Sequence, residues 1–377
     1  MKIAVLKEPD PEEGRVAITP ETAKRFIGLG ATVLVEAGAG LRSLILDFDY
    51  SMVGAVIAET TLDAVREADV VLSVRRPSQE VLSHVKKGAL AIAMMDPYGD
   101  NAAIKAMADT GVTAFAMEFM PRITRAQVMD VLSSQANLAG YQAVIDASYE
   151  YGRAIPMMMT AAGTVPAARV FVMGAGVAGL QAIATARRLG AVVTATDVRP
   201  AAKEQVESLG AKFVAVEDEE FKQAETAAGY AKPMSAEYQA KQAALVAEHI
   251  KKQDIVITTA LIPGRPAPRL VSAEMVKSMK PGSVLVDLAV ERGGNVEGSK
   301  LGEIVTTAEG IRIVGHKNVP GRIAATASQL YAKNLFAFVE TLVDKAQKVL
   351  AVNWDDELVK ATALTRDGAV IHPAFLN

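Results

Sequence analysis

The chain has 377 residues, enough for two domains that each bury a core unaided, and it holds no cysteine. That excludes a disulfide framework, a thiolate metal site, an iron–sulfur centre and a catalytic thiol. Lys and Arg total 40 against 43 Asp and Glu, a net charge of −3, so neither a basic nucleic-acid surface nor an acidic disordered tail is indicated.

Charges arrive by Lys7 and Glu8, which leaves no room for the apolar core of a signal peptide. Short apolar runs rich in β-branched residues then alternate with helical stretches. Residues 2–6, 32–36, 70–74, 89–93 and 113–116 read as strands, with 20–29 and 62–67 among the helices between them. A long helical pattern over 125–153 follows. A second strand series occupies 169–173, 192–196, 212–216, 254–258, 283–287 and 312–314, with a helix over 237–250. Residues 324–350 read as one helix, long enough to return to the first lobe. The longest uncharged run, 170–186, carries three glycines and a glutamine and is shorter than the ~20 apolar residues of a membrane span, so a soluble chain is expected.

This alternation predicts an α/β protein of two doubly wound Rossmann-like lobes with parallel sheets. The first lobe is expected to comprise 1–135 plus 320–377, completed by the C-terminal segment. The second, over 136–319, is the expected dinucleotide-binding domain.

The strongest motif lies at the start of that second series. A strand runs straight into Gly174-x-Gly176-x-x-Gly179, and a helix follows. The first glycine permits a tight turn, the second lets a pyrophosphate reach the backbone, and the third lets helix and strand pack closely. The helix N-terminus offers unpaired N–H groups and the positive end of its dipole. The next strand ends in Asp197, placed to accept hydrogen bonds from an adenine ribose and to repel a 2′-phosphate, which favours NAD(H) over NADP(H). The plainer alternative is that Asp197 caps the following turn. Arg199 pulls the other way, since a nearby arginine accommodates a 2′-phosphate. Residues 259–264 form a turn at the same sheet edge, where Leu261 either packs on a ligand or belongs to a simple Pro-Gly turn.

Before this lobe, Gln127, Asp130, Ser133 and Ser134 recur at spacings of three or four, so one helix face can present an amide, a carboxylate and hydroxyls. Such a set can hold a nicotinamide carboxamide and its ribose. Periodicity alone favours a solvated face. Residues 217–235, acidic and alanine-rich with Gly229 and Tyr230, read as a long functional or disordered loop. The 4 histidines show no metal-ligand spacing, and no metal is expected.

These residues resemble a known family over essentially the whole length: the soluble NAD(H)-binding component of proton-translocating NAD(P) transhydrogenase. The stretches EGRVAITPET, MPRITRAQVMDVLSSQAN, PMMMTAAGTVPAARV, GAGVAGLQAIATARRLGA, TAAGYAKPM and VLVDLAVERGGN carry the resemblance. It implies that Arg122 and Gln127 contact the nicotinamide and its ribose, with Asp130 and Ser133 in the same polar network. Ile123, Thr124 and Arg125, within the same RITRAQ motif, are counted with the cofactor-binding residues. Val177 and the run Asp197, Val198, Arg199 match positions around the pyrophosphate and adenosine. Gly229 and Tyr230 match a mobile loop that closes over the nucleotide, and Leu261 the turn beside it. The resemblance further implies a homodimer that passes hydride between NADH and NADP(H) held by a separate beta subunit. Membrane-spanning subunits would couple the exchange to proton movement and hold this chain on the cytoplasmic face of the inner membrane.

A more distant resemblance is to alanine dehydrogenases, the alternative reading. Their substrate arginine matches Arg15, but their lysine matches Arg75, their aspartate Glu291, and their histidine Met94 or a neighbour in the run 94–100. Three changes in four positions weigh against amino-acid oxidation. A non-catalytic nucleotide-binding module is the third possibility.

Overall fold

Six short apolar runs pair into one parallel sheet: β1 (Lys2–Val5), β2 (Thr32–Glu36), β3 (Val56–Ala58), β4 (Val70–Arg75), β5 (Leu90–Met94) and β6 (Thr113–Ala116). Their order is β3-β2-β1-β4-β5-β6. Alternate residues leave opposite faces of each strand, and both faces are covered. Ile3, Val5, Val33, Val35, Leu72, Ile92 and Phe115 enter one core cluster. Ala4, Val71, Ala91, Ala93 and Ala114 enter the other. The architecture is that of a computed structural model, which describes residues 1–223 and 234–376.

The chain divides into two compact units, Met1–Gln135 with Pro320–Asn377 and Ala136–Val319. The C-terminal segment supplies the first unit with a helix, Ala324–Thr341, whose Tyr331, Leu335, Phe338 and Val339 join the core around Phe115. Nearby, the single tryptophan, Trp354, lies between the Phe115 ring, 6.3 Å away, and the Arg366 guanidinium, 3.9 Å from its centroid. The helix is shorter than the expected 324–350. It stops at Thr341, and Val343–Asp344 pairs antiparallel with Val349–Leu350. The Asp344 carboxylate takes the N–H groups of Ala346 and Gln347, a side-chain turn that competes with helix.

The second unit opens with the helix Val131–Tyr151 carried over from the first, then a hairpin of β7 (Met158–Thr160) and β8 (Gly163–Val165). Its sheet holds β9 (Arg169–Met173), β10 (Val192–Thr196), β11 (Lys212–Phe213), β12 (Ile255–Thr258), β13 (Val284–Asp287), β14 (Ile304–Thr306) and β15 (Arg312–Val314). The order is β11-β10-β9-β12-β13-β15-β14. All neighbours are parallel except β14 and β15, a departure from the all-parallel expectation. The tight turn closed by Gly310 N–H on the Thr307 carbonyl is too short for a crossover, so the pair must be antiparallel.

Gly140 sits in the long helix where a Cβ would lie 2.0 Å from the Ala178 carbonyl oxygen. That neighbour is backbone and cannot move aside as a flexible side chain would. G140A is therefore expected to destabilise the chain by about 1–3 kcal/mol although alanine is the better helix former. Equal or greater resistance to denaturant in G140A would contradict this packing.

Candidate functional site

In the second sheet β9 lies between β10 and β12, so successive connections leave in opposite directions there, the switch point at which open α/β sheets bind ligands. The glycine turn follows β9. Gly174 has φ +105°, and a Cβ on it would lie 2.4 Å from Thr259 Oγ1. A Cβ on Gly179 would lie 1.7 Å from the Gly174 carbonyl oxygen, so the helix Val177–Arg188 is seated directly on the turn. Gly176 differs: a Cβ there meets nothing within 4 Å. The open side of the turn is thus the backbone at Gly176, where the helix begins. Among the described residues no side chain caps that helix, which leaves its first N–H groups for an anion.

Asp197 lies against this turn, its side chain 8% exposed. Oδ2 accepts the Ala175 N–H at 2.7 Å, and Oδ1 accepts the Arg199 N–H at 2.9 Å. The Arg199 guanidinium adds Nε to Oδ1 at 2.9 Å and Nη2 to Oδ2 at 3.1 Å, and also reaches the Ala175 carbonyl. Four donors therefore meet the roughly four lone-pair sites of one carboxylate. The local capping role is real, and a ribose diol has to displace the Arg199 side chain, one-third exposed, to reach the acid.

The turn after β12 is held from below. Asn295, fully buried, accepts the Ala260 N–H at 3.0 Å and donates to the carbonyls of Ala260 and Pro268 at 2.9 and 2.8 Å. Thr259 Oγ1 donates to the Gly174 carbonyl at 3.1 Å, tying the two turns together. Leu261, Val177 and Val198 are all exposed apolar side chains beside this backbone. Sequence reasoning missed Asn295, which carries no local signal beyond following two glycines.

In the first unit the expected continuous helix over 125–153 is broken. Residues Thr124–Met129 form a 3-10 helix, and Val131–Tyr151 starts afresh after Asp130. Asp130 causes the break by capping the new helix: Oδ1 takes the Ser133 N–H at 2.9 Å and Oδ2 the Ser133 hydroxyl at 2.5 Å. Gln127 therefore does not share a helix face with Ser133. Asp130 and Ser133 do come together, whereas Ser134 turns to Asn334. Arg122 and Gln127 are exposed, and among the described residues neither side chain makes a hydrogen bond or ion pair. Ile123 is half-buried and Thr124 exposed. Arg125 is committed elsewhere, with its guanidinium bidentate on Asp356 at 2.5 and 3.0 Å and also on Glu357. Gly229 and Tyr230 lie outside the described residues.

A charged cluster stands where β1 and β4 of the first sheet diverge. Arg15, 2% exposed, places Nε and Nη2 on the two Glu13 carboxylate oxygens and Nη1 on the Gln135 amide oxygen. Arg75 Nε shares Glu13 Oε2 at 2.8 Å, and Glu8 accepts the Val74 N–H at 2.6 Å. Met94 and Met95, at the end of β5, are both buried. The next residue, Asp96, has φ +44° and donates its N–H to the buried Glu118. No group of three or more His, Asp or Glu able to hold a metal occurs among the described residues. Nor is any helix there long and apolar enough to cross a membrane.

Models of the alanine dehydrogenase/PNT N-terminal and C-terminal domains match residues 4–139 and 143–373. The chain belongs to the alanine dehydrogenase/PNT family. Its relatives include an NAD(P) transhydrogenase alpha subunit of Rhodospirillum rubrum, 56% identical over 380 residues that cover all of this chain and 99% of that one. Among solved structures, a transhydrogenase from Sinorhizobium meliloti superposes with TM-score 0.90 at 66% identity, covering 98% of this chain and all of that one. An L-alanine dehydrogenase superposes with TM-score 0.83 at 25% identity, covering 100% and 98%. The two-lobed Rossmann-like fold is thus common to both branches of the family.

Within the family fold, the position that matches the alanine dehydrogenase histidine holds buried methionine, and the Arg15 site is filled by the chain's own Glu13. The charge balance of that cluster is uneven. Burial pushes the Glu8 carboxyl up to about 7, opposed by the Val74 N–H and reinforced by Glu13. Burial acts on Glu13 too, but the hydrogen bonds and charge of Arg15, then of Arg75, bring it down to about 2. Glu8 thus binds a proton in the folded chain between 4.5 and about 7 that the unfolded chain releases. Its stabilising protonation is complete below 4.5 and lost as pH rises through 7, while Glu13 stays ionised throughout that window. Between pH 5 and 8 the wild type should lose about 1–3 kcal/mol from this group, and E8Q should lose measurably less. Parallel denaturation curves at the two pH values check it; identical pH dependence in both proteins would refute it.

Proposed function

We propose that this chain is the NAD(H)-binding subunit of a proton-translocating NAD(P) transhydrogenase. It works as a homodimer that passes hydride directly between NADH and NADP+ bound on a partner beta subunit. Membrane-spanning subunits couple that exchange to proton movement and hold the chain peripherally at the cytoplasmic face. The observation that carries the reading is the glycine turn, open only at the Gly176 backbone and closed at its base by Asp197. The 56% identity to the Rhodospirillum rubrum subunit over the whole chain supports the choice of branch.

When bound, the dinucleotide supplies a hydride from its nicotinamide ring. The residues named here have positioning tasks. The N–H groups that open the helix Val177–Arg188 receive the pyrophosphate. Asp197 takes the adenosine ribose as Arg199 moves aside. Val177, Val198 and Leu261 cover the adenosine half. Gln127, with a free amide, and Arg122 serve the nicotinamide carboxamide and ribose, with Asp130 and Ser133 as a fixed hydrogen-bonding pair beside them. Ile123 and Thr124 supply contacts from the same segment. Ring-to-ring hydride transfer requires no proton at the reacting carbons, so buried Met94 and Met95 in place of a protic side chain suit it. Oxidation of an amino acid needs proton transfer at the amine, which that position does not offer.

The chain alone should bind NADH without turnover and should catalyse reduction of an NAD analogue by NADPH once the NADP(H)-binding subunit is added. Reduction of NAD by L-alanine without that partner would instead establish the amino-acid dehydrogenase reading. D197A should weaken NADH binding about tenfold, the loss of one charge-assisted ribose contact, and narrow the preference over NADPH because Arg199 is released. Calorimetric titration with both nucleotides measures this; a wild type that already prefers NADPH would overturn the ribose assignment.

A further inference from the structure

The segment 122–134 carries most of the residues assigned to the nicotinamide half, yet its own backbone is irregular: a 3-10 helix, one extended residue and a new helix. Irregular backbone leaves peptide groups that need partners from elsewhere. One residue of the helix Ala324–Thr341 supplies them. Asn334, 7% exposed, donates Nδ2 to the Val128 carbonyl at 2.8 Å and accepts the Ser134 hydroxyl on Oδ1 at 2.7 Å. Those two contacts straddle Asp130, one before it and one after. The break that presents Asp130 and Ser133 is therefore clamped on both sides by one amide.

A second brace lies one residue further on. Gln135 donates to the Ala327 carbonyl of the same helix at 3.2 Å and accepts from Arg15 at 2.8 Å. That brace holds only the new helix. Asn334 alone among these residues reaches the 3-10 helix carrying Gln127. An aspartate in its place would lose the donor, and an apolar side chain both bonds.

We propose that Asn334 is a positioning residue for hydride transfer: it touches no reactant but sets Gln127 relative to the Asp130–Ser133 pair. The inference rests on the transhydrogenase reading above. Hydride transfer demands that reacting carbons be held to within tenths of an ångström, whereas nucleotide affinity is dominated by the glycine turn. The clamp therefore acts on rate and little on binding.

The test uses the full chain with its NADP(H)-binding partner subunit. At saturating NADH, N334L should slow transhydrogenation about tenfold or more, with NADH affinity within about threefold of wild type. S134A removes only the hydroxyl end of the clamp and should slow the reaction about threefold to fivefold, which keeps the proposal testable if N334L does not fold. Combining S134A with N334L should add little to N334L alone, because both cut one bond. Variants that match the wild-type rate within twofold, or that lose NADH affinity as steeply as rate, would overturn the positioning role while leaving the transhydrogenase reading intact. A wild type that exchanges no hydride with the partner would overturn that reading and this inference with it.

Discussion

The second unit depends on one close approach: the Gly174 carbonyl oxygen occupies the space that any side chain at position 179 would fill. That contact fixes where the helix Val177–Arg188 begins relative to β9, and so where its N–H groups point. The Ala178 carbonyl in turn occupies the space next to Gly140, so the long helix is seated on the shorter one as that helix is seated on the turn. Strand, turn and two helices form a stack with no side chains at the critical contacts. Backbone packed on backbone has little rotamer freedom, which makes it a stiff base for an anion site.

Buried amides perform the same task in both units. Asn295 pairs with Ala260 by accepting its N–H and donating to its C=O, as a neighbouring strand would. Asn334 donates to one side of a helix break and accepts from the other. An amide is the side chain that both donates and accepts without a charge to desolvate, so it can complete a loop's backbone bonding inside the protein. The ligand-facing loops are thereby ordered by the scaffold behind them.

What the sequence makes legible follows the range of each interaction. Strands over 32–36, 113–116, 169–173, 192–196 and 312–314 are found as expected, because continuous apolar runs mark strands buried on both faces. The three-residue edge strands β3 and β14 are too short to show a period. The expected strand 212–216 ends at Phe213, since the Val216 N–H goes to the Gln242 side chain. The glycine turn is readable because its constraints lie within six residues. The helix break at Asp130 had a local sign, an Asp three residues before Ser133, but the apolar periodicity on either side masks it. Asn295 and Asn334 are beyond reach, since their partners lie 35 and 206 residues away and only the folded chain brings them together.

The lone tryptophan gives the two units unequal visibility. Trp354 is packed against Phe115 and Arg366 inside the first unit, and the second has no indole. Its emission therefore follows the melting of the first core and is nearly blind to the glycine turn, so a fluorescence trace and a circular dichroism trace of the same sample separate the two unfolding events without any label.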